Sequence, residues 1–595
     1  MRQLLILGFG FMGMAALVIP APGQTPLRQS ITVTASTYPI PFENLSRTVA
    51  VLTSEQIAKL PVRSVVEVLQ YISSVDLHSR APFGVQADIS VRGADFSQTL
   101  VLVDGVRLND AQTGHHNADI PVLLEDVERI EILCGPGSSL YGADAFGGTV
   151  NVVTKKKSKG IKAGVSGGQY GFLDSFVDAG FEKGNVSQSF GAQFNRSSGF
   201  AYDRDFQTYA FTSRTNWGER SSLFLTHLAK EFGAMGFYGD SPSREWTDST
   251  FLNFERQWIV KPSWDLTSQT YYRTHGDHFL WDVNNPGFFE NFHRTHSPGV
   301  QVRLRHTVSE ETRWTLGVDG GGDWIRSNSL GNHSLGHVSF LGELQRKLGS
   351  KAVLAPGIRF DSYSNFGNSL NPSISGSWWV LPTIKLRSSA GHAFRVPTFT
   401  ELYYHDPNNQ ASSNLKPEQA WGFESGADWL FRSSWMAALT WFAREERDVI
   451  DWVRETPEQA WRSTNLRSVD TQGVELGIQH LIPAGRMEIQ YTYLSTDAGA
   501  VSFLSKYVLD YARHTVVGFG SLSLPKSINF GPRISYKFRV DGRDYWVLDC
   551  RLGRRFGRFE AYLEGSNLTN SQYQEIPGVD MPGRWLRAGL NMMRF

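Results

Sequence analysis

The chain has 595 residues and carries 58 basic and 58 acidic side chains, so its formal net charge is zero and no nucleic-acid partner is expected. This length exceeds one ordinary soluble domain and predicts at least two. A mean hydropathy of -0.28, with 57 glycines and 13% aromatic residues, excludes a helical membrane protein, which would be far more apolar. Two cysteines, Cys134 and Cys550, exclude a disulfide framework and a thiolate zinc site.

The N-terminus carries the only long apolar run, Leu4 to Pro20, behind Arg2 and followed by Ala21-Pro22-Gly23. Small residues in that position suit a secretory cleavage site. We therefore predict a signal peptide over residues 1–23. A single transmembrane anchor is the alternative, but the run is short for one.

Two capping boxes follow, Thr53-x-x-Gln56 and Ser64-x-x-Glu67, and each predicts the start of a short helix. Before them, Ser30 to Ala35 is rich in β-formers and is followed by Pro39 and Pro41, which disfavour a continuing helix. Taken alone, this run is read most simply as an N-terminal strand.

Residues 126–155 form a compact segment dense in turns. Val127, Ile130 and Ile132 alternate with charged residues before the breaker Gly-Pro-Gly at 135–137. Glycines at 142, 147 and 148 then precede a second β-rich run, 149–153. The pattern predicts two strands joined by an α+β turn, or a glycine-rich loop of some other α+β domain.

From about residue 159 onward the sequence repeats short alternating runs separated by turn residues. Ile534, Tyr536 and Phe538, for example, interleave with Ser535 and Lys537. In a membrane barrel the apolar set faces lipid and the polar set faces the lumen, whereas a soluble sandwich buries its apolar set. At roughly 20 residues per strand and connection, the region predicts about 22 strands, a barrel wide enough to require a plug.

Motifs of catalysis are missing from the sequence. It contains no Gly-x-x-x-x-Gly-Lys-Ser/Thr phosphate loop and no Gly-x-Ser-x-Gly elbow. No enzyme activity and no cofactor are therefore expected. If the protein moves a solute against its concentration gradient, the energy has to come from outside the chain.

Several motifs together resemble the TonB-dependent outer-membrane receptors. The plug-like motifs are Ile89 to Gly93, Thr99 to Val106 and residues 126–155; the barrel-like ones are His392 to Tyr404, Asn414 to Glu418 and Asn567 to Tyr573. The resemblance implies a membrane all-β fold, with an antiparallel transmembrane barrel of about 22 strands holding an N-terminal α+β plug in its lumen. It divides the chain into a signal peptide (1–23), a periplasmic tether with a TonB box (24–38), a plug (39–158) and the barrel (159–595).

The family also implies roles for individual residues. Ser30 to Ala35 resembles a TonB box, so the coupling residues would be Ile31, Thr32, Val33, Thr34 and Ala35. The residues expected to contact the barrel wall are Arg92, Glu128 and Glu131. Cys134 stands where the family usually has an arginine before Gly-Pro, so a carboxylate there loses its usual partner or another barrel cation supplies it.

Substrate is expected to bind where plug loops meet extracellular loops. The candidates are Arg80, Phe83, Gln86, Asn109, Gln112, His115, His116, Phe237 and Tyr238. Adjacent histidines suggest a metal or a metal chelate, but such pairs are more often solvent-exposed polar residues, and no metal site is predicted. The pairs His275/His278 and His293/His296 fall on opposite faces of a strand and form no ligand set there.

The implied function is active import of a scarce metal chelate, cobalamin or a ferric siderophore, across the outer membrane. The implied partners are TonB with its inner-membrane motor proteins, the chelate and outer-membrane lipid. A haem or oligosaccharide importer of the same family, and a passive porin, remain as alternatives; His405 favours haem only in part, because the Asn-Pro-Asn-Leu element reads Ser-Ser-Asn-Leu at 412–415.

Overall fold

The computed structural model describes residues 32–33, 40–41, 45–432, 434–499 and 502–594. The predicted signal peptide lies outside these residues, as do Ile31, Thr34 and Ala35 of the expected TonB box. Two short strands, β1 (Thr32–Val33) and β2 (Ile40–Pro41), pair antiparallel.

The first domain is built on a five-stranded sheet in the order β3-β8-β9-β6-β7, and a separate hairpin pairs β4 with β5. In the five-stranded sheet β6 runs parallel to β9, and the other neighbours are antiparallel. The strands are β3 (Val49–Thr53), β4 (Val75–Ser79), β5 (Ala87–Val91), β6 (Thr99–Val103), β7 (Val106–Arg107), β8 (Val127–Cys134) and β9 (Gly148–Thr154).

Helices are short throughout the described chain. The two predicted capping boxes are confirmed, because Thr53 caps α1 (Ser54–Ile57) and Ser64 caps α2 (Val65–Leu69) with both reciprocal hydrogen bonds present. Two more are α3 (Ser138–Tyr141) and α4 (Phe399–Tyr403), and the 3-10 turns are Phe96–Gln98, Gly114–Ala118, Leu124–Asp126 and Pro525–Ser527. Among the described residues, no helix has the length and apolar character needed to cross a membrane.

The segment 126–155 folds as its pattern predicts. Strand β8 ends at Cys134, the chain turns through Gly135 at φ 80°, and α3 leads back to β9. Strands β8 and β9 pair with each other in the middle of the sheet, and the apolar side chains Ile130, Ile132 and Val150 lie in its core.

The second domain is a closed antiparallel barrel of 22 strands, as predicted, in which the first strand pairs with the last. Its strands are β10 (Gly160–Gly168), β11 (Leu173–Lys183), β12 (Val186–Ser197), β13 (Phe206–Trp217), β14 (Ser221–Gly233), β15 (Arg244–Lys261), β16 (Trp264–Leu280), β17 (Glu290–Thr307), β18 (Thr312–Ser327), β19 (Gly331–Leu348), β20 (Ala352–Tyr363), β21 (Gly367–Leu381), β22 (Ile384–Arg395), β24 (Glu418–Phe431), β25 (Trp435–Arg454), β26 (Trp461–Ile482), β27 (Gly485–Asp497), β29 (Ala512–Leu524), β30 (Ile528–Arg539), β31 (Asp544–Phe556), β32 (Phe559–Ser566) and β35 (Trp585–Arg594). Four short strands lie in its connections: β23 (Asn409–Gln410), β28 (Leu504–Ser505), β33 (Gln574–Ile576) and β34 (Val579–Asp580).

The barrel turns its polar side chains inward. In β30, Arg533, Ser535 and Lys537 are buried, while on the outer wall Phe340 and Leu563 expose 53% and 62% of their surface. The first domain therefore lies in the lumen as a plug against a polar wall.

In the C-terminal strand β35, the alternation read from sequence predicts that Asn591 faces outward, a departure from the usual apolar choice. That prediction is wrong, because Asn591 faces the lumen, where its amide donates to Glu560 at 3.3 Å. Leu590 and Met592 take the exposed positions beside it. One residue of register decides which set faces lipid, because side chains alternate along a strand.

The two ends of the barrel differ in their connections. At the end where the plug leads into β10, each turn has two to four residues, as at 184–185 and 308–311. At the other end, called the loop end below, connections are as long as residues 396–417, which contain α4. Short periplasmic turns and longer extracellular loops are usual in outer-membrane barrels.

Candidate functional site

The plug is fastened to the barrel wall by buried ion pairs. Each joins a plug side chain to a lumen-facing one of opposite charge: Arg63–Glu564, Asp76–Lys537, Asp76–Arg539, Arg92–Glu424, Arg92–Glu475, Asp104–Arg214, Asp110–Arg273 and Asp119–Lys230. Removing charges from water is costly, so such pairs fix position more than they add net stability. A polar interface of this kind can be separated and rehydrated.

Arg92 is the central plug residue of this set. Its guanidinium donates to Glu475 at 2.7 and 2.6 Å and to Glu424 at 3.0 Å. Strand β5 ends there in a left-handed turn, with φ of 53° at Arg92 and 67° at Gly93. The other two residues expected at the wall, Glu128 and Glu131, form ion pairs with Arg129 on the same strand, and Glu131 is buried.

Cys134 lies close to the Arg92 site. It is 3% exposed and its thiol is 3.4 Å from the Ser74 hydroxyl, so it is a buried small side chain. Burial raises the pKa of its thiol to about 12. Cys134 and Cys550 are both free thiols. The carboxylates of Glu424 and Glu475 take Arg92 as their cation, so the missing family arginine leaves neither one without a partner.

The plug turn around residues 80–86 lies beneath the loop end. Arg80 pairs with Asp88 at 2.9 Å, and Gln86 donates to the Tyr238 hydroxyl at 2.5 Å. Burial disfavours ionisation of Asp88, yet Arg80 and His115 together hold its pKa well below its usual range. Phe83 is 7% exposed and packs in a cluster with Trp585. Phe237 belongs to the same cluster, whereas Tyr238 is 39% exposed.

The plug loop 107–119 is buried more deeply than its polar sequence indicates. The Asn109 amide bonds to the backbone of Val101 and Thr99, and Gln112 donates to Asp277 at 2.7 Å. His116 is 4% exposed and lies 3.3 Å from Asp277. The expectation of solvent-exposed histidines is therefore wrong for His116, because the 3-10 turn Gly114–Ala118 presses it against the wall.

The carboxylates around His116 strongly affect its pKa. Burial alone would lower its pKa, but Asp277, Asp119 and Asp110 raise it to about 9. The pair His275/His278 lies on opposite faces of β16, as predicted: His275 is fully buried in the lumen, while His278 stacks on Trp246 with ring centroids 4.5 Å apart.

His115 lies above this pocket and reaches the loop end. Its ring stacks on Phe96 at 4.2 Å between centroids, its Nδ1 lies 2.7 Å from Asp88, and its Nε2 lies 3.4 Å from the Tyr507 hydroxyl. A continuous series of contacts therefore runs from an outer loop through Tyr507, His115 and Asp88 to Arg80.

A basic and aromatic cluster was missed by the sequence reasoning. The Lys506 amine lies 5.8 Å from the ring centroids of Trp452 and Trp461 and 5.3 Å from that of Tyr507, and Arg454 lies 4.2 Å above Trp461. Trp452, Arg454 and Trp461 come from the ends of β25 and β26, and Lys506 and Tyr507 come from the connection after β27. Alternation places the first three near strand ends but gives no sign that Lys506 and Tyr507 lie against them above the plug.

The fold and this interface define the class of protein. It is a plugged 22-stranded barrel whose strands cross the outer membrane many times. The model described as "TonB dependent receptor-like, beta-barrel" matches residues 169–568, and "TonB-dependent Receptor Plug Domain" matches residues 41–149. The chain belongs to the TonB-dependent receptor family, whose members are outer-membrane transporters and receptors.

Two curated outer-membrane proteins resemble the chain at low identity. The chain is 25% identical over 543 residues to a vitamin B12 transporter, BtuB, of Photobacterium profundum, covering 82% of each. It is 23% identical over 594 residues to an iron-regulated outer membrane virulence protein of Vibrio cholerae, covering 87% of this chain and 85% of the relative.

Solved structures share the fold. The siderophore receptor PirA of Acinetobacter baumannii superposes with a TM-score of 0.76 at 17% identity, over 93% of this chain and 99% of that one. The FrpB iron transporter of Neisseria meningitidis gives 0.75 at 14% identity, over 93% and 100%. Because the chain belongs to an outer-membrane receptor family and the longer loops of such barrels are extracellular, the loop end is the extracellular end.

Proposed function

We propose that this protein actively imports a metal chelate, a ferric siderophore or cobalamin, and that TonB supplies the energy. The observation that carries the proposal is the plug seated in the lumen by buried ion pairs such as Arg92–Glu475 and Asp104–Arg214. A solute crosses such a barrel only when part of the plug moves, and separating these pairs requires work. Since the sequence offers no phosphate loop, that work comes from a partner.

The extracellular cluster of Trp452, Arg454, Trp461, Lys506 and Tyr507 is the proposed capture site. Aromatic faces with two cations suit a chelate that is both anionic and aromatic. Burial lowers the pKa of Lys506 to about 8, so the amine is mostly charged at neutral pH and loses that charge in mild alkali. A ferric catecholate fits this chemistry best, while the vitamin B12 transporter among the relatives supports cobalamin.

Contact between the cluster and the plug supplies a signal path. A ligand resting on Tyr507 would shift the ring that lies against His115 and Phe96. His115 also holds Asp88, and Asp88 holds Arg80. Of the substrate-binding residues predicted from sequence, His115 and Tyr238 are proposed to contact a bound ligand. The buried residues Arg80, Gln86, Gln112 and His116 are proposed to shift when that ligand binds, without touching it.

The N-terminal segment is proposed to take up the pulling force. Residues 31–35 are rich in β-formers, and an extended segment can add to the sheet edge of a partner through main-chain hydrogen bonds. The partner would be TonB with its inner-membrane motor.

Binding and uptake measured side by side test the proposal. Purified receptor is titrated with a ferric catecholate siderophore and with cobalamin, and cells are tested for uptake of whichever binds. We expect Trp461→Ala and Lys506→Gln to weaken binding, because each removes part of the cluster. Phe288→Ala, at a residue 68% exposed on another extracellular connection, is the matched control and should bind as wild type.

Deletion of residues 31–35 distinguishes TonB-dependent import from passive diffusion. We expect the deletion to abolish uptake and leave binding intact. Uptake that survives the deletion would identify a passive porin. Binding of haem or an oligosaccharide alone would overturn the chelate assignment while leaving the energy coupling in place.

A further inference from the structure

A compact group of histidines and carboxylates lies where the plug loop 110–119 meets strands β14 to β17. We call it the His116 cluster; its members are His116, Asp110 and Asp119 of the plug and Lys230, Glu245, Arg273, His275, Asp277 and His293 of the wall. All of them are buried, with exposed fractions of 0 to 8%.

Carboxylates outnumber permanent cations in this cluster. Four carboxylates face two permanent cations, Arg273 and Lys230. Protons held by His116 and by one of the carboxylates offset the two remaining negative charges, and a divalent cation that displaced both protons would keep the cluster neutral.

The donor atoms lie close to the spacing that metal ligation needs. The Nε2 of His275 lies 2.7 Å from an oxygen of Asp119, in hydrogen-bond contact, and the Nδ1 of His116 lies 3.8 Å from the same oxygen. Ligands at about 2.0 to 2.2 Å from a tetrahedral zinc ion are about 3.3 Å apart, so binding would change each of these distances by about half an ångström. Donor atoms of all three residues lie within 4.8 Å of one another, and a second such set joins His116 to Glu245 and Asp277.

Unpartnered atoms in the same place point to a ligand. The Nδ1 of His275, the Nδ1 of His293 and the Oδ1 of Asp277 are buried and have no hydrogen-bond partner. Polar atoms of this kind are usually satisfied in folded proteins. Three such atoms in one cluster leave hydrogen-bonding capacity that a bound cation with its water ligands can satisfy.

We propose that the His116 cluster binds a divalent transition-metal ion of the zinc type, with His116, Asp119 and His275 as its ligands. Imidazole nitrogens with one carboxylate are the donors such ions prefer. Because His116 and Asp119 belong to the plug and His275 to the wall, the ion clamps the two domains together near the extracellular end. The clamp is independent of which chelate the protein imports.

Zinc titration of the intact protein tests the proposal. Untagged receptor in detergent is treated with a chelator, dialysed, and titrated with Zn²⁺ in a calorimeter. We expect one ion to bind, and His275→Gln and Asp119→Asn each to weaken binding about 10- to 100-fold or more. His405→Gln, at an exposed histidine of an extracellular connection, is the matched control and should leave the affinity unchanged.

A second measurement keeps the test decisive if a variant folds poorly. Hydrogen exchange of the wild-type receptor with and without Zn²⁺ should show protection confined to residues 110–119 and 273–277. Absence of binding, equal binding by the ligand variants, or protection elsewhere would overturn the clamp. Neither experiment includes the transported metal chelate, so a negative result would not count against the proposed transport function.

Discussion

Arg92 of the plug and Glu475 of the barrel wall are joined by two parallel hydrogen bonds of 2.7 and 2.6 Å, a fork-to-fork geometry. The same guanidinium also donates to Glu424 at 3.0 Å. One plug side chain thus holds strands β24 and β26, and any movement that carries the β5 turn off the wall has to break all three bonds together.

Loss of this contact should loosen the plug. Arg92→Ala leaves two buried carboxylates without their cation, and removing one partner of a buried pair typically costs about 3–5 kcal/mol. We expect faster proteolysis and faster hydrogen exchange of the plug, with a smaller effect for Arg92→Lys, which keeps the charge but loses the fork. Lys156→Ala removes a solvent-exposed plug–wall pair with Glu255, worth about 0–1 kcal/mol, and serves as control. Equal proteolysis rates for the two alanine variants would contradict the role of Arg92.

A covalent tether should show whether the start of the plug leaves the wall. The hydroxyls of Ser46 and Ser375 are 2.7 Å apart, so cysteines at both positions, in a Cys550→Ser background, should form a disulfide. We expect the oxidised protein to bind its chelate normally but to lose uptake, and a reductant to restore it. Each single cysteine variant is the control. Full uptake by a protein whose disulfide is verified by mass spectrometry would mean that this part of the plug stays in place.

The two native thiols should be hidden from aqueous reagents in different ways. Cys134 is buried with its pKa raised to about 12, so only about one part in ten thousand is thiolate at pH 8. Cys550 lies on the outer side of β31, where detergent covers the barrel. We expect little labelling in the folded state and two reactive thiols after denaturation without reductant. A count of zero in the denatured protein would reveal a disulfide.

Asp126 should make the plug less stable as pH rises. Burial, with the nearby charge of Asp178, raises its pKa to about 6, although the Thr212 hydroxyl donates to it at 2.6 Å. An unfolded aspartate titrates near pH 4, so between about pH 4 and 6 the folded state binds a proton that the unfolded state has lost. The folded plug has the full stabilisation from this proton below about pH 4 and has lost it above about pH 6.

Replacement of Asp126 should remove this pH dependence. We expect Asp126→Asn to melt at a higher temperature than wild type at pH 8, with a gain of up to roughly 2–3 kcal/mol, and to match wild type near pH 4. Calorimetry in detergent at both pH values measures it. Glu128→Gln, at an exposed carboxylate of β8, is the control. A gain of the same size at both pH values would rule out the titration of Asp126 as its cause.

Much of the fold could be read from local pattern. The alternation around Ile534 and Lys537 states which side chains face lipid, and the capping residues Thr53 and Ser64 mark two helix starts, because each signal depends only on neighbours in sequence. The candidate site could be read only in part. That substrate binds where plug loops meet extracellular loops stays a prediction, and Trp461 and Lys506, which carry no periodic signal, were overlooked.

The sequence by itself determined the class of this protein, because its period-two pattern predicts a barrel and its motifs resemble the plug and barrel of TonB-dependent receptors. The tertiary structure alone decided which charges meet. His116 and Asp277 are 161 residues apart, and their contact depends on the closure of 22 strands around the plug. Burial then converts an ordinary loop histidine into a group held between carboxylates, because solvent no longer screens their charges.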